Sequence, residues 1–185
     1  MNHLGSVVLE TERLVLRPFT LEDAPAMYKN WACDPEVARY LTWQAHDSVV
    51  DTGRVLADWI GRYENPGYYH WAIVLRTLDE PIGSLGAVRR DDGLEMAEVG
   101  YCIGQKWWHQ GYTTEALGAV IGFFFGTVGL NRIQAYHDLD NPHSGAVMQK
   151  CGMAYEGTLR QGARSNRGAF VDVALRAVLR QDWEG

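Results

Sequence analysis

The sequence lacks the cysteine patterns that stabilise small secreted proteins or hold zinc. Its 185 residues include three cysteines, Cys33, Cys102 and Cys151, an odd number with no C-x-x-C pair. This argues against a disulfide framework or a thiolate zinc site and favours a reducing, cytoplasmic location. The six histidines show no H-E-x-x-H or other metal-ligand spacing, so we predict that no metal is bound.

Segments that direct a chain to a membrane or to nucleic acid are also missing. The N-terminus has no basic stretch followed by an apolar run, as a secretory signal would. The most apolar segment, residues 116–130, is shorter than the roughly 20 residues that span a bilayer, and it indicates a buried helix. The net charge of −6 disfavours nucleic-acid binding, and an amine-bearing partner is easier to accommodate.

No repeat, linker or low-complexity stretch divides the chain, so we expect a single domain over residues 1–185. The hydrophobic pattern predicts about seven strands and four helices. The strands are expected around Leu14 and Leu16 and at 70–75, 82–88, 96–103, 132–137, 153–159 and 169–179. One main helix is expected to end near Ala32, the others are expected over 48–63, 113–125 and 144–150, and a short helix is expected after Pro35. This order predicts a mixed α+β fold around one mostly antiparallel sheet, in which the crossover helix 113–125 joins two parallel strands. Capping signals are Thr20 with Asp23, Ser48 with Asp51, and Gly152 as a stop after the last helix.

A glycine-containing turn at residues 104–117, GQKWWHQGYTTEAL, lies between a predicted strand and a predicted helix. Such a turn aims unpaired backbone N–H groups, with the helix dipole behind them, at one point that binds anions. Gly111 allows close approach and Thr113 and Thr114 are small, although neither G-K-[ST] nor G-x-G-x-x-G is present. We therefore predict that five main-chain amides bind a diphosphate. They belong to Gln110, Gly111, Tyr112, Thr113 and Thr114. A simple helix cap without a ligand is the alternative.

The same segment resembles the acetyl-CoA loop of the GCN5-related N-acetyltransferases (GNAT). Residues 108–116, WHQGYTTEA, are similar to the W-G-x-G-Y-A-T-E-A loop in the branch that acetylates the N-termini of ribosomal proteins. Segments 11–24, 81–88, 97–103 and 141–157 resemble further family motifs, in the family's order. The chain departs from the broader family pattern at Trp108, where Gln or Arg is usual, and at Thr113, where Gly or Ala is usual.

The resemblance implies a GNAT fold with a splayed pair of parallel strands, and acetyl transfer from acetyl-CoA to a primary amine. It assigns Glu98 as the general base, although a sheet-surface or substrate-positioning role is an alternative, and Glu95 is a neighbouring candidate. Backbone groups near Cys102 and Ile103 are expected to contact the acetyl carbonyl or the pantetheine. The resemblance does not support Cys102 as a nucleophile, because the family uses direct transfer.

Two further residues are assigned by the resemblance at the start of the helix 144–150. Asn141 matches a residue that binds pantetheine, and Ser144 matches a hydroxyl near the sulfur that could return its proton. Both are also good helix-capping residues, so capping alone is the alternative. Aromatic side chains expected on the acceptor side, or equally in the core, are Trp31, Tyr40, Trp43 and His70.

The preceding helix carries Gly118, Gly122 and Gly126 on one face. Each glycine costs about 1 kcal/mol of helix propensity relative to Ala, so we expect this face to pack tightly against the sheet or the pantetheine arm.

For the acceptor, the resemblance favours a protein N-terminal α-amine. A small amine such as a polyamine, an amino acid or an aminoglycoside is the alternative, and a non-catalytic acyl-CoA-binding module is a second. A homodimer is expected by analogy. Most amines are protonated at neutral pH, so each catalytic alternative needs a group that removes a proton.

Overall fold

The computed structural model describes residues 1–183 and contains eight strands and five α-helices. The strands are β1 (Leu9–Glu10), β2 (Leu14–Arg17), β3 (His70–Leu75), β4 (Glu80–Asp91), β5 (Met96–Ile103), β6 (Arg132–Asp138), β7 (Ala154–Arg164) and β8 (Phe170–Leu179). The α-helices are α1 (Ala24–Met27), α2 (Pro35–Ala38), α3 (Val49–Arg62), α4 (Tyr112–Phe123) and α5 (Pro142–Lys150). Turns of π-helix, Tyr28–Ala32 and Phe124–Val128, extend α1 and α4.

All eight strands form one sheet in the order β1-β2-β3-β4-β5-β6-β8-β7. Every neighbouring pair is antiparallel except β5 and β6, which confirms the predicted mixed fold and its single parallel pair. The predicted number of about seven strands is one too low. The additional strand is β1, whose two residues pair with β2 and are too short to show an alternating pattern. The fifth helix, beside the four main ones, is the one-turn α2, which is the short helix expected after Pro35.

The parallel strands β5 and β6 separate after three residue pairs. Their register runs from Met96 opposite Arg132 to Glu98 opposite Gln134, and no later residue of β5 pairs with β6 within the described chain. Strand β6 stays paired with β8 as far as Asp138. A gap therefore opens beside residues 99–103 of β5, which confirms the splayed pair.

Local capping signals in the sequence are confirmed at three helix ends. Thr20 and Asp23 form the predicted capping box before α1, and the Ser48 hydroxyl accepts a hydrogen bond from the Asp51 amide at the start of α3. Gly152 follows α5 with a φ of +77°, a conformation that favours glycine after a helix. Each signal is local, which is why the sequence alone could identify it.

Two apolar clusters lie on the two faces of the sheet. One includes Leu117, Val120 and Ile121 of α4, with Trp71 of β3 fully buried among them. The other forms under α1 and α3, around the fully buried Trp31. The sheet is thus covered on both faces, and its β5–β6 gap is framed by helix α5 on the α4 side.

The glycine face of α4 does not pack tightly against the sheet, so that part of the prediction is wrong. A Cβ added at Gly118 or Gly126 would have no heavy-atom neighbour within 4 Å, and one at Gly122 would meet only Trp183, at 4.0 Å. The buried face of α4 is formed by larger apolar side chains instead, and the sequence pattern could not decide which face turned inward.

Gly53→Ala in α3 and Gly118→Ala in α4 are expected to raise the free energy of unfolding by about 1 kcal/mol each, because each position has room for a methyl group and Ala favours the helix. Urea unfolding measures the change. Gly83→Ala in β4 is the matched control and is expected to lower the free energy of unfolding, since its Cβ would collide with the carbonyl oxygen of Cys102. A loss of stability in both helix variants would contradict the open environment of these positions.

His70 is expected to make folding depend on pH. Its ring packs against Trp59, with ring centroids 4.1 Å apart, and burial lowers its pKa from 6.5 to about 4. Between these values the unfolded chain binds more protons than the folded one, so stability falls as the pH drops from 6.5 toward 4, by up to about 1.4 kcal/mol per pH unit. His70→Gln should flatten this dependence in urea unfolding at pH 4 to 7, whereas the exposed control His143→Gln should not. Parallel curves for all three proteins would exclude His70 as the source.

Candidate active site

A cavity of about 480 Å³ lies at the open end of the β5–β6 gap. Its walls come from the end of β5, the loop before α4, the first turns of α5 and the segment around α2. Among its lining residues are Tyr101, Cys102, Ile103, Gly111, Thr113, Thr114, Asn141 and Ser144. Seven of the ten residues predicted from the sequence therefore line the cavity, and Glu98, Gln110 and Tyr112 do not.

The predicted anion site is the N-terminus of α4. Gly111 precedes the helix with a φ of +82°, and no side chain within residues 1–183 caps the first turn. Gly111, Thr113 and Thr114 face the cavity. The main-chain N–H groups of this turn are therefore not occupied by a side-chain cap, and the anion site stays a prediction.

Gln110 and Tyr112 flank this turn without lining the cavity. The Gln110 side chain donates to the carbonyl oxygen of Lys106 at 2.8 Å, and its own carbonyl accepts from Arg13 at 3.0 Å. The guanidinium of Arg13 also lies 4.4 Å from the centre of the Tyr112 ring. These two residues can contribute to the site through their main chains, and their side chains hold the loop.

An ion pair that the sequence analysis missed fixes the first turn of α4. Glu115 accepts hydrogen bonds from the Thr11 hydroxyl at 2.6 Å and from the Arg13 Nε at 2.6 Å. Burial alone would raise the pKa of Glu115, but these hydrogen bonds hold it below its usual value. Thr11 and Arg13 lie about a hundred positions from Glu115 in the sequence. The only signal for this contact was that all three residues belong to segments that resemble family motifs.

The departure at Trp108 also has a structural role. Its indole Nε1 donates to the carbonyl oxygen of Ile103 at 2.8 Å. This bond joins the loop to the last residue of β5, where the gap is open. Trp108 thereby fixes the distance between the anion site and the end of that strand.

A second missed residue, Tyr101, lies beside Ser144. The Tyr101 hydroxyl is 3.0 Å from both the Oγ and the carbonyl oxygen of Ser144. Burial raises the pKa of Tyr101 strongly, so the phenol keeps its proton. Asn141 caps α5 by accepting from the Ser144 amide at 3.3 Å. The capping interaction is therefore present, and both side chains also reach the cavity.

Glu98 lies at the point where β5 and β6 part. It is only 9% exposed, and its Oε2 accepts a hydrogen bond from the Gln134 Nε2 at 2.9 Å. Because side chains alternate along a strand, Glu98 and Cys102 share one face of β5, while Tyr101 lies on the other. The alternative base, Glu95, has a φ of +48° in the turn before β5, and its carbonyl oxygen accepts from Asn131.

Cys102 is a half-buried thiol in the cavity wall. Its Sγ lies 3.4 Å from the Ser84 hydroxyl, and burial raises its pKa. A thiol is a poor nucleophile unless it is deprotonated. That Cys102 forms no acyl-enzyme stays a prediction.

The acceptor side of the cavity is formed by the segment around α2. Tyr40 lines it, as do Glu36 and Arg39. Of the other predicted aromatic residues, Trp31 is in the core, Trp43 packs against it, and the half-buried His70 packs against Trp59. The tip of the β7–β8 hairpin closes over this segment, because the Asn166 Nδ2 donates to the carbonyl oxygens of Ala38 at 2.8 Å and Trp43 at 3.2 Å.

Residues 13–154 match the acetyltransferase (GNAT) domain family. The chain belongs to the GNAT acetyltransferases. The uncharacterised N-acetyltransferase YoaA of Bacillus subtilis (strain 168) is 32% identical over 173 residues, which cover 94% of this chain and 97% of that protein. The [ribosomal protein uS5]-alanine N-acetyltransferase of Escherichia coli (strain K12) is 34% identical over 85 residues, or 46% of this chain and 43% of that one.

Solved GNAT structures share the fold. The microcin C7 self-immunity acetyltransferase MccE, in complex with acetyl-CoA and AMP, superposes with a TM-score of 0.82 at 20% identity and covers 91% of this chain and 93% of that one. The protein is therefore an acetyl-CoA-dependent N-acetyltransferase.

Two further findings concern metal binding and membrane-spanning helices. Within residues 1–183, no group of three or more His, Cys, Asp or Glu side chains is arranged to hold a metal ion. None of the helices in this described part combines the length and apolar character needed to cross a membrane.

Proposed function

We propose that this GNAT acetyltransferase acts on a protein N-terminal α-amine, as the ribosomal-protein enzymes of the family do. The observation that carries the catalytic part is the open gap between β5 and β6, with the uncapped α4 N-terminus at one end and Glu98 at its apex. Support for the acceptor is the similarity over 85 residues to the uS5-alanine N-acetyltransferase.

The diphosphate of acetyl-CoA would bind the main-chain amides of residues 110–114. These amides suit an anion because they are uncapped and carry the positive end of the helix dipole. The pantetheine would then follow the gap past Asn141. Its thioester would reach the main chain of Cys102 and Ile103, where the N–H group that faces the gap and not β4 would stabilise the developing oxyanion.

Proton removal from the amine is assigned to Glu98, acting through water. Glu98 and Cys102 are four residues apart on one strand, which places their Cα atoms about 13 Å apart. This is too far for a carboxylate to touch an amine at the thioester. An α-amine has a pKa of about 7.7 to 8.0, so a carboxylate with intervening water is a sufficient base near neutral pH.

Ser144 is assigned the protonation of the leaving group, the CoA thiolate. Its hydroxyl lies in the cavity wall next to Tyr101, so it can donate a proton to the CoA thiolate and be held by the phenol behind it. Ser144→Ala is expected to lower kcat by about 10-fold to 100-fold, near the lower end of general-acid effects. Tyr101→Phe should lower kcat less. Single-turnover measurements test this, and an unchanged kcat in both variants would remove the pair from the mechanism.

The acceptor is tested with purified protein, acetyl-CoA and two panels of amines, with CoA thiol release as the readout. One panel holds peptides with free N-termini and the other holds polyamines, amino acids and aminoglycosides. We expect higher kcat/KM for the peptides. Matched peptides with blocked N-termini separate the α-amine from lysine side chains. Higher kcat/KM for a small amine would support the alternative acceptor class.

A further inference from the structure

Glu98 is the end of a chain of polar contacts that crosses three strands. The Gln134 amide nitrogen donates to Glu98, and the Gln134 amide oxygen accepts from the Arg132 Nε at 3.1 Å. The Arg132 guanidinium is itself held by both carboxylate oxygens of Glu156 on β7. None of these partners was a candidate from the sequence.

We propose that Gln134 is a positioning residue for the base. Its amide nitrogen binds one oxygen of Glu98 and leaves the other oxygen for water, and Arg132 and Glu156 fix the orientation of this amide. This proposal rests on the proposed function, because it gives Glu98 the role of base.

The orientation of the Gln134 amide follows from its two partners. A guanidinium has only donors, so the amide oxygen must face Arg132 and the amide nitrogen must face Glu98. Rotation of the amide by 180° would put two donors together and leave an oxygen against a carboxylate. The Glu156–Arg132 pair therefore determines which group meets Glu98.

A donated N–H favours the charged form of a carboxylate, which is the form that accepts a proton. Glu98 is nearly buried, so the loss of this bond would leave an oxygen with little access to water. Removing the donor should thus leave the carboxylate of Glu98 less well stabilised, while the binding of acetyl-CoA is unaltered.

Other charged or titratable side chains lie on the strands around Glu98. Arg89 on β4 is its register partner, with no ion pair to Glu98 within 4.0 Å in the described chain, and Arg132 and Glu156 lie beyond Gln134. Tyr136 on β6 has its pKa raised, first by burial and then by the charge of Glu98. All of these remain in a Gln134 variant, so a change in the pH profile reports the amide.

The test is the dependence of kcat on pH for Gln134→Met, with acetyl-CoA and an N-terminal peptide at saturation. We expect the acid limb to move up by about one pH unit, so that kcat falls up to about tenfold on that limb and is retained near pH 9. The KM for acetyl-CoA should stay the same. Gln134→Glu places a second carboxylate beside Glu98 and should move the limb further in the same direction. Gln181→Met, an exposed glutamine outside the cavity, is the matched control.

An acid limb that stays in place in both Gln134 variants would overturn the positioning role. Urea unfolding of each variant confirms that it is folded, and Gln134→Glu serves if Gln134→Met does not fold. Glu98→Gln separates this proposal from the proposed function: full activity in that variant removes Glu98 as the base, whereas a large loss together with an unmoved limb in the Gln134 variants rejects only the inference about Gln134.

Discussion

Replacing Glu98 by Gln is expected to lower kcat by a factor between about 100 and 10,000, the usual range for loss of a general base. The amide has nearly the same shape and can still accept from Gln134, so the fold and the acetyl-CoA site should be preserved. The KM for acetyl-CoA is therefore expected to be unchanged in steady-state measurements of thiol release. Glu95→Gln is the matched control, because Glu95 lies in the turn before β5, and it should retain activity.

The pH dependence of this loss distinguishes a base from a positioning group. Above pH 9 most peptide α-amines are already deprotonated, given a pKa of about 7.7 to 8.0. The deficit of Glu98→Gln should therefore shrink as the pH rises. A deficit that is the same at every pH would contradict the assignment as base and would favour the alternative in which Glu98 only positions the substrate.

The parts of the fold that the sequence could predict depend on local patterns. The crossover at 113–125 required a parallel pair of strands, and the capping residues before α1 and α3 marked both helix starts. The turn before α4 was predictable for the same reason, since its glycine and the helix N-terminus are adjacent in the chain.

The parts that could not be predicted depend on contacts between distant segments. Thr11 and Glu115 are 104 residues apart, and Tyr101 and Ser144 are 43 residues apart. No periodicity links such pairs. The glycines of α4 illustrate a different limit, because a pattern can place residues on one face without showing whether that face turns toward the sheet.

Thr113→Asp is expected to weaken acetyl-CoA binding by at least about 100-fold without destabilising the fold. Thr113 is in the first turn of α4 and lines the cavity. Two like charges about 4 Å apart near a protein surface repel by roughly 4 kcal/mol, which corresponds to about a 1000-fold change in affinity before screening by salt. The same carboxylate interacts favourably with the positive end of the helix dipole, which stabilises the folded state by about 0.3 to 1 kcal/mol.

This variant is informative because CoA binding is expected to weaken while the stability of the fold is kept or raised. Calorimetry with CoA should show the loss of affinity, and urea unfolding should show stability equal to or above that of the original protein. Thr113→Asn, which has similar size and no charge, is the matched control and should bind CoA within a few-fold of the original affinity. If the aspartate variant bound CoA as tightly as the asparagine variant, the diphosphate would not lie at the start of α4, and the path of the thioester into the β5–β6 gap would lose its anchor.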